Sequence, residues 1–183
     1  ELNRANLAKV FGELYFLLEY RDQSVQLQYS DQAFELPKNL YFIGTMNTAD
    51  RSVALLDAAM RRRFAFIELH PDEPPVNQVL ETFLGTTGRE DDERVRLLES
   101  LNAAIDDRDR DFKIGPSYLM RPEAGTKQGL ERVWRFDILP LLQEHYYGQM
   151  SPTQITGKFG LAALRERSEN PALAESPELT DRP

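Results

Sequence analysis

Two short runs limit what this chain can fold into. Leu40-Tyr-Phe-Ile-Gly-Thr-Met46 and Phe64-Ala-Phe-Ile-Glu-Leu69 are apolar at nearly every position rather than at alternate ones. A strand with one wet face alternates. A strand covered on both faces does not, and that is the habit of parallel strands packed between layers. Between the runs lie a polar loop, Asn47-Thr-Ala-Asp-Arg-Ser52, and a short helical stretch over 53–60 that ends in Arg61-Arg62-Arg63. Strand, loop, helix and strand within about thirty residues predict a βαβ unit. Such a unit implies a parallel sheet and a right-handed crossover.

The flanks are simpler. Residues 4–20 place Leu7, Val10, Phe11, Leu14, Leu17 and Leu18 at helical spacing, with Asn3 available as a cap. Over 24–36, Val25, Leu27 and Tyr29 alternate with polar residues, Ser30-Asp31-Gln32 turns, and Phe34 and Leu36 alternate again, which predicts a hairpin. The character changes at His70-Pro71 and Pro74-Pro75, and the rest reads as helical. Helices are expected over 76–84, 90–109 and 153–167. Another is marked by Leu130, Trp134, Ile138, Leu141 and Leu142, which Pro140 must kink or restart. Residues 112–120 form a compact non-helical insert. Residues 168–183, with Pro, Ser and Glu but no apolar period, read as a disordered tail. The expected organisation is an α/β part over 1–69, a helical part over 70–167 and the tail.

Composition removes several function classes. The 183 residues contain no Cys, which excludes disulfide scaffolds and thiolate metal sites, and only His70 and His145 offer imidazole. Both read as surface or packing residues. The net charge of −8 argues against a nucleic-acid coat, because phosphate neutralisation needs clustered Lys and Arg. No apolar run approaches the roughly 20 residues that span a bilayer, and a cytoplasmic protein is expected. The stretch 89–111 holds five Arg against nine Asp and Glu and reads as a solvated helix face. No Gly-x-x-x-x-Gly-Lys-Ser/Thr loop occurs, so nothing here cradles a triphosphate by itself.

Three sites can carry chemistry. Asn47 stands at the carboxyl end of the first run, where open parallel sheets place their ligands. Its carboxamide both donates and accepts, so it can hold a water against a phosphate, with Asp50 accepting the water's other proton. The plainer reading makes Asn47 and Asp50 turn and cap residues of the following helix. Arg61-Arg62-Arg63 can simply complement a helix C-terminus, at ~0.3–1 kcal/mol per cation. Three in a row exceed that need, and a guanidinium set against a neighbouring subunit's phosphate would be an arginine finger. Glu1 can polarise an attacking water if it stands at a strand end.

The strings Glu1-Leu-Asn-Arg-Ala-Asn-Leu-Ala-Lys-Val-Phe-Gly-Glu13, Asn39-Leu-Tyr-Phe-Ile-Gly-Thr-Met-Asn-Thr-Ala-Asp-Arg-Ser52 and Leu56-Asp-Ala-Ala-Met-Arg-Arg-Arg-Phe64 closely resemble the McrB-type AAA+ NTPases, the motor subunits of modification-dependent restriction systems. The resemblance continues through Ile114-Gly-Pro-Ser-Tyr-Leu-Met120 and Ile138-Leu-Pro-Leu-Leu142. It implies a partial AAA+ P-loop NTPase core, a parallel sheet with flanking helices whose P-loop half is absent, followed by an all-α lid.

The same resemblance implies residue roles. Glu1 matches the Walker B glutamate and Asn47 the sensor-1 residue. Asp50 matches the sensor-1 partner in the signature loop. Arg51 would mediate subunit or nuclease coupling, and Arg62 and Arg63 occupy the trans-acting finger region. Gly115 and Ser117 fall in the lid's sensor-2 segment, where the family often shows His in place of Pro116. GTP or ATP with Mg²⁺, a homo-hexameric ring, an McrC-like nuclease partner and DNA contacted through domains outside this chain are implied as well. The chain begins without Met, in a helical pattern, so it is expected to start inside a core. Alone it should neither bind nor hydrolyse nucleotide, and it should associate through unsatisfied strand edges. Two other readings stand beside this one: a MoxR-like or dynein-related protein-remodelling ATPase, and a degenerate, non-catalytic AAA+ interaction module.

Overall fold

A computed structural model describes residue 4, residues 7–47 and residues 58–169. The chain divides between Ile67 and Glu68 into two compact units.

In the first unit, the helix expected over 4–20 is interrupted. Helix α1 spans Leu7–Phe11 and α2 spans Leu14–Glu19. Gly12 lies between them at φ +51°, the left-handed conformation that ends a helix and that glycine adopts without steric cost. The hairpin forms as read. Strands β1 (Ser24–Gln26) and β2 (Ala33–Glu35) pair antiparallel with Val25 opposite Phe34. Leu17 of α2 and Leu36 are buried. Glu13 accepts the Gln28 N–H, fixing the helix entry beside the hairpin.

The two apolar runs are corrected by the structure. Neither 40–47 nor 64–69 is a strand, and the β1–β2 hairpin is the whole of the sheet among the described residues. Tyr41 is 83% exposed, Ile43 96% and Ile67 82%. The apolar pattern states that these side chains need cover. A strand also needs a neighbour to share its ladder, and no described segment lies alongside to supply those hydrogen bonds. The expected helix over 53–60 is described only at its end, where α3 spans Ala58–Arg61.

The second unit is all helix and holds one continuous core. Helix α4 (Val79–Thr86) follows a 3₁₀ turn and α5 spans Glu93–Ala104. The latter is shorter than the expected 90–109. Asp92 caps its start by accepting the Arg94 N–H, and Ile105 turns extended at its end. Helices α6 (Lys127–Val133) and α7 (Leu139–His145) are joined by a π turn over Trp134–Ile138. That turn is the form taken by the kink expected at Pro140. Proline has no N–H for the carbonyl four residues back, and the backbone widens to pass it, with the Leu139 N–H reaching Trp134 O. The last expected helix is two, α8 (Pro152–Phe159) and α9 (Leu161–Glu169), broken at Gly160. Ser151 and Gln154 form a reciprocal capping box at the start of α8. Residues 168 and 169, read as tail, belong to α9, and 170–183 lie outside the described residues.

The core gathers Leu80, Leu97, Leu101, Trp134, Ile138 and Phe159, all at most 2% exposed. The Trp134 indole N–H donates to Phe159 O at 2.8 Å, so the largest core side chain buries no unmade donor. Trp134→Ala should therefore cost this unit ~3–5 kcal/mol, the range for truncating a buried aromatic, as a fall in the denaturant midpoint at unchanged slope. A loss under ~1 kcal/mol would show that the core closes over the gap.

His145 stacks on Phe112, with ring centroids 3.6 Å apart, and its Nε2 stands 3.3 Å from Asp109. His70 is buried, its Nδ1 accepting the Asp72 N–H and its Nε2 lying 3.2 Å from Arg110 O. Both histidines are thus packing residues. Tyr146 is pushed up to about 12, first by burial and then by the nearby Asp109 charge. A phenol that holds its proton more tightly when folded gives stability that is complete below pH 10 and lost as pH rises toward about 12. Tyr146→Phe should flatten that alkaline loss. Denaturant unfolding of both forms below pH 10 and between pH 10 and about 12 checks it. Parallel curves would assign the alkaline loss to other groups.

Candidate functional site

The residues expected to carry chemistry fall on three stretches. Asn47 ends the described part of the first apolar run and is exposed. The approach to it is fixed from α2's end of the unit: Arg21 donates through Nη2 to Pro37 O at 3.1 Å and to Leu40 O at 2.6 Å. The Phe42 ring stands edge-on to Phe11 at 5.7 Å between centroids. Glu1, Asp50 and Arg51 lie outside the described residues.

The arginine cluster separates into three environments. Arg61 closes α3 and lies over the Phe66 ring at 5.3 Å. Arg62 is exposed. Arg63 is held inside its own unit. Its Nη2 meets Glu19 Oε2 at 2.5 Å, its guanidinium lies 4.2 Å over the Tyr15 ring, and its side chain is only 9% exposed. A desolvated guanidinium between a carboxylate and an aromatic face is an anchor. Burying it without a partner would be costly, so the carboxylate keeps it in place.

Gly115 and Ser117 come together on one turn of the second unit. Gly115 precedes a single 3₁₀ turn, Pro116–Tyr118, and Ser117 is exposed on it. A Cβ built on Gly115 meets nothing within 4 Å and its φ is −78°, so neither crowding nor backbone strain demands glycine there.

Sequence reasoning missed two polar residues behind this turn. The acidic stretch 89–111, read as a solvated face, carries buried Arg94 and buried Asn102. Arg94 donates through Nε and Nη2 to the Asp92 carboxylate at 2.9 and 2.8 Å. Those hydrogen bonds hold the Asp92 carboxyl below the usual carboxylate range. The signal was faint but present: a capping Asp with Arg two residues on is the local geometry for such a fork.

An open cleft of about 330 Å³ in the same unit is lined by Asp92, Arg94, Thr126, Lys127 and Arg165, among others. Its guanidiniums are already engaged, Arg94 by Asp92 and Arg165 by both Glu93 oxygens at 2.9 Å. Among the described residues no group of three His, Asp or Glu side chains converges as a cation site. No helix among them is long and apolar enough to cross a membrane.

Comparison with known proteins places these stretches. Residues 1–64 match the family described as AAA domain (dynein-related subfamily), and residues 93–154 match McrB, alpha-helical lid domain. An AAA segment followed by a helical lid defines the class as AAA+. Within it, the chain belongs to the McrB-type AAA+ proteins. It is 38% identical over 167 residues to the Type IV methyl-directed restriction enzyme EcoKMcrB subunit of Escherichia coli (strain K12), covering 80% of this chain and 36% of that protein. It is 35% identical over 83 residues to the Type II restriction enzyme BsuMI component YdiS of Bacillus subtilis (strain 168), covering 36% of this chain and 24% of that protein. The chain thus spans about a third of the first relative and about a quarter of the second.

Proposed function

We propose that this chain supplies part of the nucleotide-hydrolysing engine of a restriction system, acting on GTP or ATP with Mg²⁺ in a complete AAA+ module and powering DNA translocation. One observation carries the reading: the string Met46-Asn-Thr-Ala-Asp-Arg-Ser52 lies in an AAA match that is followed, in order, by an McrB lid match. Both named relatives are restriction enzymes, which favours DNA restriction over protein remodelling. The dynein-related description of the first match is the single point on the other side.

In this reading the exposed Asn47 carboxamide donates to a phosphate oxygen and accepts from the attacking water. Glu1 takes a proton from that water, and Asp50 orients the signature loop. Arg62, exposed and next to the anchored Arg63, reaches the terminal phosphate held by a neighbouring subunit. Arg63 holds the segment that carries Arg62. Arg51 couples the subunit to its neighbour or to an McrC-like nuclease. Gly115 and Ser117 bring the lid's turn to the nucleotide. Mg²⁺ would accompany the nucleotide and neutralise charge on its phosphates. The resemblance to McrB-type proteins implies a homo-hexamer, in which a finger acting in trans would meet the nucleotide of an identical neighbour.

Phosphate release by the complete protein from GTP and from ATP, with and without the nuclease partner and DNA, tests the reading. Turnover stimulated by DNA or by the nuclease supports it. Turnover stimulated by an unfolded protein and indifferent to DNA would favour remodelling, and no nucleotide binding at all would leave an interaction module.

A further inference from the structure

Asn102 is 4% exposed and Arg94 3%, and both project from α5, roughly two turns apart. Each holds the backbone of one segment. Asn102 grips Ile114 from both sides: its Nδ2 donates to Ile114 O at 3.0 Å, and the Ile114 N–H donates to its Oδ1 at 2.8 Å. Arg94 donates through Nη1 to Leu119 O at 2.8 Å, its other two guanidinium nitrogens, Nε and Nη2, donating to Asp92. The Ile114 and Leu119 side chains are themselves in the core. Between the two anchors lie only Gly115, Pro116, Ser117 and Tyr118.

The arrangement is specific. The four-residue turn has no strand or long helix to hold it, yet both of its ends are fastened to one rigid helix. An apolar side chain at 94 or 102 would fill the core without the desolvation that a guanidinium or a carboxamide costs. What the polar side chains add is position: a carboxamide that both donates and accepts at one residue allows a single register, and a guanidinium fork locked on a carboxylate has little freedom of its own.

We propose that Arg94 and Asn102 are positioning residues that set the orientation in which the 115–118 turn meets the nucleotide. This inference rests on the reading above, in which Gly115 and Ser117 face the nucleotide. It predicts a fault in binding rather than in the chemical step, since neither residue touches the reacting atoms.

The test uses the complete protein with Asn102→Ala and, separately, Arg94→Lys, which keeps the charge but loses the fork. Three quantities are read below the melting temperature: KM and kcat for GTP and ATP, affinity for a non-hydrolysable analogue of each, and amide hydrogen exchange over 113–119. For each variant we expect exchange over 113–119 to quicken, KM and the analogue Kd to rise about tenfold, and kcat at saturation to stay within about twofold. A purely structural role would lower the melting temperature and leave KM unmoved. Faster exchange with unchanged KM and Kd overturns the proposal, and so does exchange that stays slow. If Asn102→Ala fails to fold, Arg94→Lys carries the same test at the other end of the turn. An unsubstituted protein that binds neither nucleotide overturns the underlying reading, and this inference with it.

Discussion

Asn47→Ala in the complete protein should lower kcat by ~10²–10³-fold, the range found for removing one preorganised donor at a reacting centre, while nucleotide affinity stays within a few-fold. The expectation follows from what the side chain can and cannot do. Its carboxamide is exposed at the end of a segment whose approach is fixed by Arg21 on the carbonyls of Pro37 and Leu40. In the proposed reading it orients a water, and it is too small to supply most of the binding of a nucleotide. Asn47→Asp is the sharper companion, because it keeps an acceptor, loses the donor and sets a negative charge toward a phosphate. It should be at least as damaging as alanine. Single-turnover rates and equilibrium nucleotide binding, measured on the same preparations, decide the matter. Unchanged turnover removes Asn47 from the mechanism. Binding lost together with turnover would make it a turn residue whose loss disorders the loop.

How much could be read in advance varied with what each feature depends on. The hairpin was legible because its alternation and its turn residues are local, and Val25 opposite Phe34 follows from them. The helical lid was legible for the same reason, down to a disturbance at Pro140. Its form, a π turn, depends on how the backbone around Trp134 and Ile138 is held by the core, which no local pattern records. The apolar runs at 40–46 and 64–69 show the opposite limit. Their composition demands cover on two faces, yet whether they become strands depends on segments that pair with them. Gly12 was passed over because a glycine inside an apolar period reads as tolerated, whereas here it turns the chain at positive φ. The buried polar pair was hardest. Arg94 and Asn102 sit among nine carboxylates in 89–111, and charge density there signals solvent, although the partners that make burial possible, Ile114 and Leu119, lie beyond that stretch. A long-range hydrogen bond leaves no periodicity to find.

The two adjacent arginines, chemically identical on paper, should part company in experiment. Arg62→Ala should cost ~10³–10⁵-fold in kcat, the worth of an arginine finger, and change stability by no more than ~0.5 kcal/mol, because its side chain is exposed. Arg63→Ala should instead destabilise the protein by ~1–3 kcal/mol, since it removes a guanidinium held between Glu19 and the Tyr15 ring. Glu19→Gln should reproduce part of that loss, and the Glu19→Gln, Arg63→Ala double variant should fall short of the sum, as residues in direct contact do. The trans action of Arg62 has its own signature. Rings mixed from Arg62→Ala and Asn47→Ala subunits contain interfaces with an intact Asn47 on one side and an intact Arg62 on the other. Such rings should regain activity that neither homogeneous ring has, rising and falling with the mixing ratio. A finger acting within its own subunit would give no rescue at any ratio. Turnover that survives Arg62→Ala but not Arg63→Ala would reverse the two roles, and the ion pair with Glu19 would then have to open before each hydrolysis.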